Sequence, residues 1–238
     1  MPRKGSHVVI IGGTKGLGRD IAAACVGLDA RVTITGRDAT HAKETATKLG
    51  PGVDGLACDL TDFESIAALF EKIDVVDHLV LTALDRDFNE IANFRPEDSA
   101  RTALMKNVGY ATAVHHSLPK FSADSSVVMF SGLSMWRPAP GSTTISMANA
   151  GVIGLVNSLA TQIAPTRINA ITPGIVGGTP AVDEADEVRK DIYEQLRLRT
   201  PGQRLPTPDD IISAVLLLLD NPGINGANLT VDAGLHLV

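Results

Sequence analysis

His7-Val8-Val9-Ile10-Ile11-Gly12-Gly13-Thr14-Lys15-Gly16-Leu17-Gly18 runs an unbroken apolar stretch straight into a glycine-rich turn. The stretch reads as a strand buried on both faces. Glycines at 12, 16 and 18 predict a strand-to-helix turn. Its backbone N–H groups can approach a pyrophosphate, with the helix N-terminus facing the negative charge. The spacing is Gly-x-x-x-Gly-x-Gly, and its meaning comes from its place after a strand and before a helix. Thr14, Lys15 and Leu17 fill the turn and join Gly12, Gly16 and Gly18 as candidate cofactor contacts.

Outward from this turn, apolar β-rich runs recur at 7–11, 31–35, 53–57, 75–82, 125–131, 166–172 and 226–231. Ala-rich amphipathic stretches lie between them at 17–27, 39–49, 62–73, 97–119, 145–163 and 208–219. The alternation predicts an α/β fold: a Rossmann-type, doubly wound parallel sheet of about seven strands with helices on both faces. No Gly-, Ser- or Pro-rich linker divides the chain, so residues 1–238 read as one domain. The irregular region is 177–207, with Pro180, Pro201 and Pro206 and a charged helical stretch from Val182 to Leu198, followed by Pro208. A long excursion at the carboxyl edge of such a sheet is expected to cover a ligand.

The bulk properties agree. Of 238 residues, 44% are hydrophobic but only 4% aromatic, so the core is built mainly from Ala, Val, Ile and Leu. The net charge of −6 argues against a nucleic-acid or membrane-surface partner. Apolar runs fall short of the roughly 18 residues of a membrane span, and the N-terminal apolar stretch leads into the turn instead of a cleavage site. The two cysteines, Cys25 and Cys58, point to buried free thiols and a cytoplasmic, reducing setting.

The second strand ends Thr33-Ile34-Thr35-Gly36-Arg37. An acidic residue there would bond an adenosine 2′-hydroxyl, whereas Arg37 suits a 2′-phosphate, and Lys15 adds a second cation. With no carboxylate at those two points, the pattern favours NADP(H). Asp38 follows Arg37 and could weaken its field.

These features resemble the single-domain short-chain dehydrogenase/reductases, over nearly the whole chain from His7 to Asp232. Ala57-Cys58-Asp59-Leu60 resembles the segment whose Asp contacts adenine, which implicates Asp59 and Leu60. Asn107-Val108-Gly109 resembles the Asn-containing helix. The stretch from Arg167 to Gly174 resembles the strand and Pro-Gly turn on the nicotinamide side, which implicates Pro173, Gly174 and Ile175. Val231-Asp232-Ala233-Gly234 resembles the last strand. The resemblance implies a small-molecule substrate and a homodimer or homotetramer. The helices at 97–119 and 145–163, apolar around much of their surface, fit such pairing.

The catalytic pattern departs from the family. Its chemistry rests on Ser, Tyr and Lys, helped by Asn. Aligning Ala150 to Gly154 with the family's small-residue run puts Ile145 at the Tyr position, Asn149 at the Lys position and Gly132 at the Ser position. Only Asn107 remains of the four. The segment after the fourth strand reads Leu81-Thr82-Ala83-Leu84, with Ala83 as a candidate cofactor contact. The Pro173-Gly174 turn also differs: Gly177 and Gly178 precede Thr179, displacing the Thr expected at the carboxamide. Isoleucine cannot donate a proton, although Asn149 can still bond a ribose hydroxyl. Tyr110, one turn after Asn107, and Tyr193, in the 177–207 excursion, are the only tyrosines. Ser131, beside the vacant Ser position, joins Asn107 as a candidate catalytic residue. Ser134, Ser142, Thr143, Ser146, Trp136, Arg137, Asp85, Arg86 and Asp87 are nearby polar or bulky candidates. His115 and His116 read as helix-end or interface residues, and no metal-ligand spacing appears.

Three functions remain open. One is an NADP(H)-dependent reductase of an acceptor needing no tyrosine acid, such as an imine, an iminium ion or a conjugated acceptor. Another is a non-redox NADP(H)-binding protein: a sensor, a partner subunit, or a cyclase or isomerase. The last is a chain that binds no nucleotide.

Overall fold

A computed structural model describes residues 2–85 and 87–238. Arg86 lies outside the described residues. Seven parallel strands form one sheet: β1 (His7–Ile11), β2 (Arg31–Gly36), β3 (Val53–Ala57), β4 (Val76–Leu81), β5 (Phe121–Phe130), β6 (Arg167–Pro173) and β7 (Asn228–Val231), in the order β3-β2-β1-β4-β5-β6-β7. The order reverses between β1 and β4, where a ligand crevice opens at the carboxyl ends.

The helices are α1 (Gly16–Gly27), α2 (Ala39–Leu49), α3 (Phe63–Glu71), α4 (Pro96–Ala103), α5 (Tyr110–Ser117), α6 (Thr143–Gln162), α7 (Pro180–Asp183), α8 (Glu187–Arg199) and α9 (Pro208–Asp220). Strand side chains alternate between two buried faces. Val9, Ile11, Leu79 and Leu81 pack with α3, α5 and α6. Val8, Ile10 and Val80 pack with α1, α2 and α9. Both faces are therefore covered, as the apolar strands predict.

Two expectations need correction. The stretch 97–119 is not one α-helix: a π-helical segment, Leu104–Gly109, separates α4 from α5. The charged run in 177–207 is likewise two helices, α7 and α8, broken at 184–186. In addition, β5 begins at Phe121, which pairs with Val76 ahead of a register shift between Val76 and His78. The polar residues Ser122 and Asp124 mask this extension in the sequence.

Local chemistry holds α9 against the sheet. Thr207 and Asp210 form a capping box ahead of Pro208. At the other end, Arg167 donates from Nη1 to the Leu218 and Ile224 carbonyls (2.8 and 3.1 Å) and from Nη2 to the Leu219 carbonyl (2.6 Å). A cation there satisfies orphan carbonyls and complements the helix dipole. Cys25 and Cys58 are free and buried, and burial pushes both thiols up to about 12. Among the described residues, no helix is long and apolar enough to cross a membrane.

His78 gives this core a pH dependence. Ser126 Oγ donates to the Leu219 carbonyl (3.2 Å), so its lone pair receives Nδ1–H of His78 at 2.9 Å, in the neutral tautomer. Burial lowers the imidazole from 6.5 to about 4. Above pH 6.5 neither state binds the proton. Between 6.5 and 4 only the unfolded chain does, so stability falls as the pH drops, by about 3 kcal/mol across the window. Denaturant unfolding of wild type and H78Q at pH 7 and pH 4 should show the variant losing about 3 kcal/mol less. Parallel losses would refute the assignment.

Candidate active site

The crevice is built from the first turn. Gly12 (φ +96°) and Gly16 (φ +53°) adopt left-handed conformations. The Gly12 and Gly13 N–H groups donate to the Thr35 carbonyl, and the Thr82 and Ala83 N–H groups to the Ile11 carbonyl. Thr82 Oγ1 donates to the Ile11 and Gly12 carbonyls at 3.2 and 3.1 Å. A Cβ on Gly12 would lie 2.7 Å from the Ala83 nitrogen, and one on Gly18 would collide with the Gly12 carbonyl. Gly16 faces open space. Thr14 packs on Gly36, and Leu17 against the α1-side core. Lys15 precedes α1 without a side-chain capping bond, and the first turn carries no acidic residue. The start of α1 therefore keeps backbone donors and a positive dipole end for an anion.

Two arginines and two aspartates meet beyond the carboxyl ends of β2, β3 and β4. Arg37 Nη1 lies 3.1 Å from Asp85 Oδ2, and Arg101 Nε lies 3.4 Å from the same oxygen. Arg101 Nη2 is also 4.0 Å from Asp59 Oδ2. The two points themselves carry no carboxylate, as read from the sequence, but Asp85 supplies one to Arg37 from beyond the end of β4. Asp38 turns away to cap α2, accepting the His41 N–H at 2.8 Å. Burial alone would raise the Asp59 carboxyl, but the N–H and hydroxyl of Thr61, with Arg101 and Arg37, hold it below its ordinary value. Leu60 is buried against Gly109.

On the opposite side, Gly132, Ile145 and Asn149 converge where β5 meets α6. Ile145 is buried one turn before Asn149. A Cβ on Gly132 would lie 2.6 Å from Asn149 Nδ2, so the Asn149 amide occupies that space. Asn149 Nδ2 donates to Ser134 Oγ at 2.8 Å. Its buried Oδ1 has no hydrogen-bond partner among the described residues. Ser131 Oγ donates to the Asn149 carbonyl (2.9 Å), and Asn107 Nδ2 donates to the Ala148 carbonyl (2.9 Å). Both candidate catalytic residues are thus tied to successive carbonyls of α6. At the end of β6, the Gly174 N–H donates to the Val231 carbonyl, and Asp232 fills the place of a Gly174 side chain. Pro173 pairs in register with Val231, and Ile175 is half-buried.

Neither tyrosine lies on α6. Tyr110 is fully buried and donates to the Ala83 carbonyl at 3.0 Å, and burial pushes its phenol far above its ordinary value. Tyr193 is half-buried on α8. His115 and His116 meet edge to face at the end of α5. Asn89 is buried and ties the loop after β4 to α6: its N–H donates to the Gly141 carbonyl, and its carbonyl accepts the Thr143 N–H. Its side chain bonds Asp87 and the Arg95 backbone.

The sequence reading missed two features. Lys106 is buried, with Nζ 3.3 Å from the Ser131 carbonyl. Asp232 Oδ2 also holds His236 Nδ1 at 2.8 Å, with Trp136 tilted over the imidazole at 5.9 Å. The i, i+4 spacing of Asp232 and His236 was the only sequence signal for the second, and Lys106 gave none.

The family model described as enoyl-(acyl carrier protein) reductase matches residues 12–236. The short-chain dehydrogenase/reductase ucsE of Acremonium sp is 28% identical over 251 residues, covering 95% of this chain and 94% of that protein. The MalC reductase/Diels-Alderase of Malbranchea aurantiaca superposes with a TM-score of 0.90 at 24% identity, covering 99% and 97% of the two chains. A small-chain dehydrogenase in complex with NADPH superposes with a TM-score of 0.85 at 23% identity, covering 99% and 100%. The match begins in the glycine turn and ends beyond β7, taking in every strand from β2 onward, and the chain belongs to the short-chain dehydrogenase/reductase family of oxidoreductases.

Proposed function

We propose that this protein is an NADP(H)-dependent reductase whose acceptor needs no side-chain acid: an imine, an iminium ion or a conjugated acceptor. The observation that carries this reading is the absence of an available phenol where β5 meets α6. Ile145 takes the expected place, and the Tyr110 hydroxyl is spent on the Ala83 carbonyl.

The chain fits a dinucleotide. Gly12 and Gly18 keep the first turn too tight for a side chain, and the start of α1 carries no carboxylate. In this reading Gly12, Thr14, Lys15, Gly16, Leu17 and Gly18 hold the pyrophosphate, with Asp59, Leu60 and Ala83 at the adenine. Arg37 takes the 2′-phosphate; a structural neighbour is described as in complex with NADPH. The unpartnered Oδ1 of Asn149 accepts from a ribose hydroxyl, and Pro173, Gly174 and Ile175 flank the nicotinamide. A bound reduced nicotinamide supplies a hydride. Asn107 and Ser131 position this end by fixing α6. The segment 177–207 acts as a lid, its ends held by Gly177 N–H to the Pro206 carbonyl and Gly202 N–H to the Ala233 carbonyl. The second reading is a cyclisation without hydride transfer, favoured by a family neighbour described as a reductase/Diels-Alderase. Product formation with NADP⁺ in place of NADPH would select it.

Single-turnover oxidation of bound NADPH tests the reductase. Imines or enones should be reduced, while simple ketones turn over about 10²–10⁴-fold more slowly than in a member with the tyrosine. Ketone turnover at the rate of such members, or no oxidation by any imine or enone, would sink the reading. The triple variant G132S/I145Y/N149K should gain ketone reductase activity. Asn149 and Gly132 must change together, because a Cβ at 132 needs the space of the amide.

Asp85 competes with a 2′-phosphate for Arg37. The pair is exposed, so its contribution is about 0–1 kcal/mol. D85N should therefore tighten NADPH binding by up to about fivefold and leave NADH binding unchanged. Equal gains for both cofactors would remove Arg37 from the phosphate site.

We infer that the helices flanking the π-helical segment and α6 also form a homo-oligomer interface, where Val108 and Met147 are exposed. Light scattering should return two or four times the chain mass, and a monomer would exclude it.

A further inference from the structure

We propose that the groove between α1 and α2 binds a phosphoryl dianion, at a site separate from the cofactor's own phosphates, and that its occupation weakens NADPH binding. The site stands on its own geometry. Its effect on NADPH rests on the reading that places the 2′-phosphate at Arg37.

A cavity of about 340 Å³ lies between these helices, walled by Thr14, Arg19, His41, Thr45, Lys48 and Leu49. A single water needs roughly 10–15 Å³ of cavity, so this one has room for a polyatomic anion. Three of its walls are basic: Arg19 from α1, and His41 and Lys48 from α2. All three are exposed, so their donors are open to a ligand. Arg19 Nη2 lies 3.3 Å from Asp20 Oδ1, and Asp38 Oδ1 is spent on the His41 backbone N–H at 2.8 Å. The Lys48 ammonium and the His41 ring make no ion pair or hydrogen bond among the described residues. Arg37 and Lys15, the cations read at the cofactor, are not among these walls.

Thr45 separates this groove from a chance meeting of solvated cations. It is 7% exposed, yet its hydroxyl has no partner among the described residues. Most buried polar groups are hydrogen-bonded, and here a partner can come only from the cavity that Thr45 lines. The Thr14 hydroxyl, from the first turn, is likewise unpartnered among the described residues. Two hydroxyls, an imidazole, an ammonium and a guanidinium thus gather from a turn and two helices. Donors on several sides suit a tetrahedral oxyanion better than a planar carboxylate. Lys48 stands in the last turn of α2, where a cation also complements the helix dipole, so Thr45 is the more discriminating residue.

Thr14 also packs on Gly36, next to Arg37. A dianion beside Thr14 therefore repels a 2′-phosphate at Arg37 and has no such effect on the 2′-hydroxyl of NADH. The coupling is reciprocal, so NADPH weakens the anion by the same factor.

The test titrates the full chain with inorganic phosphate while NMR follows the imidazole signals, with His41 identified through H41N. The His41 signals should shift saturably with phosphate and not with chloride at matched ionic strength. T45V keeps the side-chain shape without the hydroxyl and should bind phosphate about fivefold more weakly or worse. K48M should also weaken it, and K48R should restore it. Circular dichroism establishes that each variant is folded. Phenyl phosphate forms a second arm: tighter binding than inorganic phosphate assigns the site to a phosphorylated molecule, and equal binding assigns it to the free ion. In wild type, saturating phosphate should raise the NADPH Kd about two- to fivefold and leave the NADH Kd unchanged, and T45V should abolish the difference. A His41 shift that chloride reproduces overturns the site, as does phosphate binding by folded T45V and K48M that equals wild type. Equal weakening of NADPH and NADH overturns the coupling. A wild type that binds phosphate as expected but no NADPH keeps the site and overturns the cofactor reading instead.

Discussion

The contact between the first turn and the end of β4 sets the rest of the molecule. Gly12 and Gly18 lie so close to Ala83, Thr82 and each other that a side chain on either would force the strands apart. Hydrogen bonds from Thr82 and Ala83 to the Ile11 carbonyl close the same gap. Because β1 and β4 are adjacent only where the winding reverses, this contact also fixes the position of the crevice. The Thr82 hydroxyl adds a side-chain bond to the Gly12 carbonyl, so the turn is stitched from both neighbouring strands.

The charges at the two ends of the crevice work under different rules. Arg37, Arg101 and Asp85 are all substantially exposed, where solvent screening leaves each pair about 0–1 kcal/mol. Such a cluster exchanges partners readily and does not hold the fold. Lys106 is buried, and removing a partner from a buried ion or its hydrogen bonds is strongly destabilising. Neutral, near-isosteric changes there are consequently more informative than truncation. The exposed cluster is therefore free to rearrange, whereas Lys106 is held against the end of β5.

Much of the architecture was legible because buried parallel strands are written as continuous apolar runs. His7–Ile11 and Val76–Leu81 are examples, and the glycines at 12, 16 and 18 place the turn between strand and helix. The site was legible only where neighbours in sequence are neighbours in space. Asp85 meets Arg37 across 48 residues of chain, and no local pattern carries that information. Tyr110 was expected to share a face with Asn107 by α-helical spacing. The intervening π-helical turn breaks that phase, so Asn107 bonds α6 while Tyr110 bonds the end of β4. Hydrophobic periodicity does not distinguish i→i+4 from i→i+5 bonding over six residues, so the π-helical turn had no signature in the sequence.

Gly132 and Asn149 pack as a matched pair where β5 meets α6. With glycine at 132 there is volume beside α6, and the Asn149 amide occupies it, anchored by Ser134. The anchoring uses Nδ2 and leaves Oδ1 buried without a donor. An unsatisfied buried acceptor costs about 1–3 kcal/mol, a cost that a purely structural asparagine could escape by exchanging with an apolar residue of similar volume. A hydrogen-bond donor at Oδ1 would offset that cost. Ile145 and Val152, on the same buried side of α6, carry no polar atom and incur no such cost. Thr144 Oγ1 is likewise buried without a partner among the described residues, so both unmet polar atoms of α6 lie in its first two turns.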